Sequence, residues 1–401
     1  MQTLRIGLIR EEKVPYDNRV SLSPEQCVEL KTKFPQIAVI VQPSPRRCFA
    51  DIEYTEKGIE VKEDLSVCDL LIGIKEIPVQ FLLTGKTYLF FSHTIKKQPH
   101  NRDMLKTILA KNIRLIDYEC LTDTNGERLV GFGHFAGVVG AHNGLMTWGK
   151  RFGLFDLKPA YKCSTYNELI EQYKHLTLPT IKIAVTGTGR VGKGVIEFLD
   201  RLHVERIVPE EFLNNTFNES VFAVFASKDL FKNKLAHEFI RSEFHTHPEL
   251  YESVFLPYTH AADLIMNSIF WSPSMPQLFT KVNMKSSSFH CKVIADLSCD
   301  IDGSIPATIR STTIEDPVFG YDAQTEKECA PYSKSGIDIM AVSNLPNELP
   351  REASVEFGEH LINKIMGEFL KPQSNILKRA TIIKNGRLTA NFEYLTDYVM
   401  G

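Results

Sequence analysis

Ile181-Lys-Ile-Ala-Val-Thr-Gly187-Thr-Gly189-Arg-Val-Gly192-Lys-Gly194 is the stretch that decides the fold of this chain. A short apolar run of strand character enters a glycine-rich turn. Val191, Val195, Leu199 and Leu202 then follow at helical spacing. Gly-x-Gly-x-x-Gly carries little information alone, but between a strand and a helix each glycine has a task. Gly187 permits the tight turn, Gly189 lets backbone approach a pyrophosphate, and Gly192 lets the helix pack close to the strand. Arg190 and Val191 open that helix, whose free N–H groups and partial positive charge suit phosphate. The stretch predicts a dinucleotide-binding, Rossmann-like domain; the competing reading is a set of glycines serving only a turn.

Outward from this loop, strands and helices alternate in both directions. A series runs from Ile181 to about Pro331, and an earlier one fills the first 130 residues. In the earlier series Leu4–Ile9, Ile37–Gln42, Cys68–Lys75, Thr87–Phe91 and Ile113–Asp117 read as strands. Ser23 to Lys33 and Met104–Asn112 read as helices. Such alternation argues for largely parallel sheets. Between the series, Phe132 to Gly153 is dense in Gly and Ala, as suits a long helix crossing between domains, and Thr165-x-x-Glu168 reads as a capping box. A final amphipathic stretch spans Ser354 to Leu370. The fold class expected is α/β, with two Rossmann-like domains of parallel sheets joined by long helices and a cleft between them. Residues 1–135, completed by 335–401, form a substrate and catalytic domain, and 136–334 form the dinucleotide-binding domain.

Composition narrows the function. The chain has 401 residues, 43% hydrophobic and 24% charged, which suits two globular domains. A net charge of −3 excludes an obvious nucleic-acid surface. No run approaches the roughly 18 apolar residues of a spanning helix, and the start lacks the apolar core of a secretory signal. Neither a membrane nor a nucleic acid is therefore expected as a partner. Cys27, Cys48, Cys68, Cys120, Cys163, Cys291, Cys299 and Cys329 are scattered, without a Cys-x-x-Cys pair. They read as reduced thiols packed like small apolar groups, which implies the cytoplasm and no metal site.

The choice of cofactor stays open at this level. The strand Val204–Val208 ends in Pro209-Glu210-Glu211, with Pro209 where an acid for the ribose hydroxyls of NAD is expected. The next strand, Val221–Ala226, ends in Ser227-Lys228. Lys228 is either a solvated lysine or a contact for the 2′-phosphate of NADP.

Polar residues cluster at strand ends in the first domain. Lys75 and Glu76 follow the apolar run Leu70–Ile74, His93 follows Tyr88–Phe91, Glu119 follows Leu115–Tyr118, and Arg19 precedes the first helix. Ligands of open parallel sheets gather at the carboxyl ends of strands, so these groups can meet in one cleft. Lys and His are side chains whose pKa burial tunes toward neutrality for proton transfer. Each taken singly has a plainer reading, as a solvated lysine or a capping histidine.

Several longer phrases resemble a known family. Arg10-Glu-Glu-Lys13, Arg19-Val-Ser-Leu-Ser-Pro24, Gly73-Ile-Lys-Glu76 and Lys86-Thr-Tyr-Leu-Phe-Phe-Ser-His-Thr-Ile-Lys96 look like the alanine dehydrogenase and lysine-forming saccharopine dehydrogenase superfamily. Arg114-Leu-Ile-Asp-Tyr-Glu119, Ile294-Ala-Asp-Leu-Ser-Cys-Asp300, Thr312-Thr-Ile-Glu-Asp-Pro317 and Leu345-Pro-Asn-Glu-Leu-Pro350 resemble one branch of it. That branch is the lysine–2-oxoglutarate reductase domain of the aminoadipic semialdehyde synthases.

The resemblance implies a nicotinamide-dependent enzyme, using NADP or NAD, that condenses lysine with 2-oxoglutarate to saccharopine and runs the reverse. It implies Lys75 and His93 as the acid–base pair, and Arg19 and Arg128 as contacts for substrate carboxylates. Glu76 and Glu119 would line the same cleft. The nucleotide loop is Gly187, Gly189 and Gly192, with Asp296 and Asp300 at the nicotinamide end. A homo-oligomer is compatible with it. The match departs at Ser343, where the saccharopine branch carries Asp before the Leu-Pro phrase. The alternatives are alanine dehydrogenase and a non-catalytic dinucleotide-sensing module; the paired acids Glu76 and Glu119 favour a lysine ammonium.

Overall fold

A computed structural model describes residues 3–401. The chain divides into two compact units, Met1–Phe132 with Pro350–Gly401, and Gly133–Leu349.

In the first unit, β1 (Leu4–Leu8), β2 (Ile37–Val41), β3 (Glu60–Val61), β4 (Leu70–Ile72), β5 (Thr87–Phe90) and β6 (Arg114–Asp117) form a parallel array in the order β6-β5-β4-β1-β2-β3. Their near-continuous apolar runs fit a sheet covered on both faces, and apolar clusters lie to either side. The helices α1 (Pro24–Lys33), α2 (Asp51–Glu56) and α3 (Arg102–Ala110) connect the strands. Ser23 caps α1 by accepting from the Gln26 N–H, while the Gln26 side chain accepts from the Ser23 N–H. Cys27 and Leu30 turn inward from that helix.

The second unit opens with α4 (Gly133–Phe152), the helix expected to cross between domains. Its small residues serve packing inside this unit. After α5 (Tyr166–Glu171), β7 (Lys182–Thr186) feeds α6 (Arg190–Arg201), and α4 lies against α6. A Cβ at Gly137 would stand 2.0 Å from the Val191 carbonyl oxygen, and one at Gly194 2.0 Å from that of His134. No side chain fits at either place.

The remaining strands of this unit are β8 (Glu205–Ile207), β9 (Val221–Phe225), the antiparallel pair β10 (Phe231–Asn233) and β11 (Tyr251–Ser253), β12 (Leu264–Asn267), β13 (Val293–Asp296), β14 (Val318–Asp322), β15 (Lys327–Cys329) and β16 (Ile337–Met340). The main sheet runs β15-β14-β16-β13-β12-β7-β9-β8, parallel except that β14 runs against both its neighbours. Because β16 pairs with β13 and β14, residues 335–349 belong to this unit, and the chain leaves it at Pro350 rather than at 335.

The returning segment forms a helix over Pro350–Lys364, four residues earlier than the sequence pattern predicts, and Met366–Leu370 is a separate 3-10 turn. Two last strands, β17 (Thr381–Lys384) and β18 (Arg387–Leu388), extend the first sheet beyond β6 in antiparallel sense. All eight cysteines are free; Cys27, Cys68 and Cys291 are buried. Among the described residues no helix is long and apolar enough to cross a membrane.

Candidate active site

The loops after β4 and β5 bring three of the expected residues together. Glu76 accepts from Lys13 Nζ at 2.6 Å through one oxygen, and its other oxygen lies 2.7 Å from His93 Nδ1. Burial raises the Glu76 pKa, but the His93 bond and the Lys13 cation outweigh it and hold the carboxylate below its ordinary range. A charged acceptor at that distance assigns the proton to Nδ1 and leaves Nε2 as the second exchange atom of the ring. His93 sits at φ +49, a left-handed conformation uncommon outside glycine, and its ring stacks on Phe91. Lys75, next to Glu76, is largely buried. Burial first, and the nearby Arg19 cation second, lower its pKa from that of an ordinary lysine.

Two further acids hold these loops. Glu11 accepts from the backbone N–H groups of Ile74 (2.6 Å) and Lys75 (2.9 Å). Burial, with Asp17 adding to it, pushes its pKa up to about 8 despite those two bonds. Asp117 ends β6 fully buried and accepts from the Ser92 N–H at 2.9 Å and the Glu119 N–H at 2.7 Å. It thus ties the loop carrying His93 to the loop carrying Glu119. Burial raises its pKa to about 6, against the Ser92 bond. Glu11, Asp17, Lys13 and Asp117 were not singled out as site residues from the sequence. The available signal was a charged residue closing a buried apolar strand, as in Leu115-Ile-Asp117.

Both expected substrate arginines are engaged. Arg19 makes a two-pronged pair with Asp17, Nε to Oδ1 at 2.9 Å and Nη2 to Oδ2 at 2.6 Å, and its guanidinium lies 4.1 Å over the Phe132 ring. Arg19 is 3% exposed. Burial raises the Asp17 pKa, but Arg19 outweighs it and brings the value down to about 2. Arg128 pairs with Glu119 at 2.8 Å, and its side chain is about half exposed.

In the second unit the glycine loop has the geometry of a dinucleotide cradle. Gly187 is at φ +95, in the left-handed region. A Cβ at Gly192 would lie 2.1 Å from the Gly187 carbonyl oxygen, whereas one at Gly189 would meet nothing within 4 Å. Packing within the protein therefore explains Gly192 and leaves Gly189 open for an incoming group. Gly189 caps α6, with Arg190 as the first helical residue and Val191 half-buried behind it.

Strand order moves the ribose end. The strand beside β7 is β9, not β8, which lies at the sheet edge. The Gly187 N–H donates to the carbonyl of Phe225, the last residue of β9. Ala226-Ser227-Lys228-Asp229 thus adjoin the glycine loop, and Pro209 stands away from that position. Asp229 turns inward to accept from the Ala226 N–H at 2.9 Å, and Lys228 is exposed.

Asp296 ends β13 fully buried. It accepts from Asn267 (2.8 Å), Ser298 (2.7 Å) and Thr308 (2.6 Å), and burial raises its pKa. Asn267 in turn accepts from Thr186 at 2.7 Å, so this network locks the carboxyl ends of β7, β12 and β13 together. Asp300, in the loop beyond, is half-buried, and Ser343 is exposed.

Two mostly parallel sheets, one carrying a dinucleotide-type loop and the other an acid–base cluster at its strand ends, define an α/β chain of the alanine dehydrogenase fold. Residues 7–139 match the model of the alanine dehydrogenase/PNT N-terminal domain, and the chain is similar over most of its length to alpha-aminoadipic semialdehyde synthases and saccharopine dehydrogenases. It is 30% identical to the mitochondrial alpha-aminoadipic semialdehyde synthase of Rattus norvegicus, over 97% of this chain and 47% of that protein. It is 29% identical to the Arabidopsis thaliana synthase, over 97% of this chain and 41% of that protein. The chain thus spans somewhat under half the length of these relatives. With the NAD(+), L-lysine-forming saccharopine dehydrogenase of Yarrowia lipolytica it shares 25% identity, over 89% of this chain and 90% of that one. A solved L-alanine dehydrogenase superposes with a TM-score of 0.65 at 16% identity, covering 98% of this chain and all of that one.

Proposed function

We propose that this chain is a nicotinamide-dependent oxidoreductase acting on the C–N bond of amino acids, and specifically a lysine–2-oxoglutarate reductase. The observation that carries this reading is His93 held on Glu76, the residue next to the largely buried Lys75. Joining an amine to a ketone moves a proton at each step, so two tunable groups suit it better than one. In this reading Lys75, whose pKa burial lowers, takes a proton from the attacking ammonium. His93 exchanges a proton at Nε2 as water departs, while Glu76 fixes the ring through Nδ1. The bound dinucleotide supplies hydride to the imine carbon. In total, lysine, 2-oxoglutarate, reduced nicotinamide and one proton give saccharopine, oxidised nicotinamide and water.

The open approach at Gly189 and the free N–H groups at the start of α6 fit a pyrophosphate. Ser227 and Lys228 beside the loop favour NADP over NAD. The buried Asp296 network and the half-buried Asp300 in the loop beyond support reading that loop as the nicotinamide end. Lysine binding is supported by Glu76 and Glu119, and a dicarboxylic keto acid by Arg19 and Arg128. Since Asp17 and Glu119 already hold those arginines, substrate carboxylates must displace or share them. That observation favours the alanine dehydrogenase alternative, whose keto acid carries one carboxylate. The free cysteines favour the reducing cytoplasm, which fractionation of the producing cell tests.

One assay separates the two enzymes. Oxidation of NADH or NADPH, followed by absorbance, is measured with 2-oxoglutarate plus lysine and with pyruvate plus ammonia. Faster turnover with lysine is expected; a faster pyruvate reaction assigns the chain to alanine dehydrogenase. No oxidation with any amine leaves the sensing module.

A further inference from the structure

The returning segment, with β6, builds a cavity of about 660 Å³ within the first unit. Sites for small molecules span roughly 300–1,000 Å³. Arg114, Lys371, Lys378, Lys384, Glu368 and Thr381 are among its lining residues. Arg114 opens β6, whereas Asp117 closes it beside the acid–base cluster. Its lining runs from Arg114, about 10 Å along the strand from Asp117, to Thr381 of β17, which pairs with Ile116.

Charge in this cavity is unbalanced. Four cations line it against one carboxylate, in a chain whose net charge is −3. Glu368 is already satisfied, by Lys371 at 2.5 Å and by the Ser374 hydroxyl at 2.7 Å. Among the described residues Lys378 and Lys384 are paired with no carboxylate. Arg114 has one long bond, from Nη2 to Thr381 Oγ1 at 3.3 Å, and its Nε is buried without a partner. Burial lowers its pKa, and no carboxylate counters that. A guanidinium left this short of acceptors is a costly arrangement unless an anion completes it.

We propose that this cavity binds a small organic polyanion, a phosphate or a polycarboxylate, at a site separate from the acid–base cluster. Arg114 supplies the planar donor fork at the base, and Lys378 and Lys384 supply mobile charge at the rim.

The test is calorimetric titration of the full chain with sodium pyrophosphate and with citrate, each alone and with saturating NADH or NADPH. Added dinucleotide blocks the start of α6, the other place where an anion would settle. Either anion is expected to bind with the dinucleotide present, and the tighter of the two identifies the source. The double variant Lys378→Glu, Lys384→Glu changes only exposed side chains, so it keeps the parental melting temperature. It is expected to weaken binding by about tenfold or more, the loss of at least one charge-assisted contact. The double variant Lys31→Glu, Lys62→Glu, at two exposed positions outside the cavity, makes the same change in net charge and should leave binding unchanged. Displacement by dinucleotide, equal weakening by the Lys31→Glu, Lys62→Glu control, indifference to Lys378→Glu, Lys384→Glu, or a Kd above about 1 mM for both anions would each overturn the site.

Discussion

At the scale of single residues the acid–base cluster depends on neighbours that are themselves charged. Lys75 is an ordinary lysine in composition; burial and Arg19 make it a weaker base for protons. His93 is aimed by one carboxylate, which Lys13 keeps ionised from the other side. If these two side chains carry proton transfer, Lys75→Met and His93→Gln should each lower turnover by roughly 10²–10⁴-fold. Dinucleotide affinity, read by fluorescence titration, should stay at the parental value, because the glycine loop belongs to the other unit. Near-parental turnover in both variants would remove the assignment. Arg19 illustrates the limit of counting charges in a sequence: as an isolated cation it suggests a substrate carboxylate, yet Asp17, two residues away, already satisfies its fork.

Among the elements, strand order matters more than strand identity. Chain order suggests that the strand after α6 lies beside β7 and carries the ribose contact at Pro209. In the sheet, β9 takes that place and β8 moves to the edge. Lys228, one residue past Ser227, then stands next to the glycine loop, with Asp229 withdrawn into a backbone bond. Lys228→Ala should therefore raise the KM for NADPH by about tenfold or more, the worth of one charge-assisted contact, and leave that for NADH nearly unchanged. A parental preference for NADH that the substitution does not alter would exclude a 2′-phosphate contact. The α4–α6 pair shows the same principle from another side. Gly137 and Gly194 in the sequence signal a close helix contact but not its partner, and the partners are each other's helices.

For the whole molecule, the first unit is discontinuous and the second is not. Phe357, Leu361, Ile362, Ile365 and Leu377 of the returning segment are buried in the core of the first unit. At about 1.5–3 kcal/mol for each such side chain, their loss rivals the about 5–15 kcal/mol that stabilises a domain. A chain ending at Leu349 should thus leave the first unit unfolded, read as protease cleavage within residues 3–132. A fragment of residues 133–349 should melt cooperatively and bind dinucleotide. Cooperative melting of both units in the truncated chain would show the returning segment to be dispensable.

Local chemistry was legible in the sequence because it is written in adjacent residues. Apolar periodicity placed β1, β2, β5 and β7 to within a residue or two, Ser23 announced α1, and Gly187-x-Gly189-x-x-Gly192 named the turn. The candidate residues Lys75, Glu76 and His93 could be chosen there because strand ends collect function. What joins distant parts of the chain was settled only in three dimensions. The Glu76–His93 pair, the Glu11 clasp on Lys75 and the Asp117 tie between two loops each depend on which strands are neighbours. So do the edge position of β8 and the assignment of β16 to the second sheet. The physical reason is the range of each interaction: turn geometry and amphipathic period act over a few residues, whereas ion pairs, desolvation and strand pairing act across space. Only the folded chain decides which charges meet.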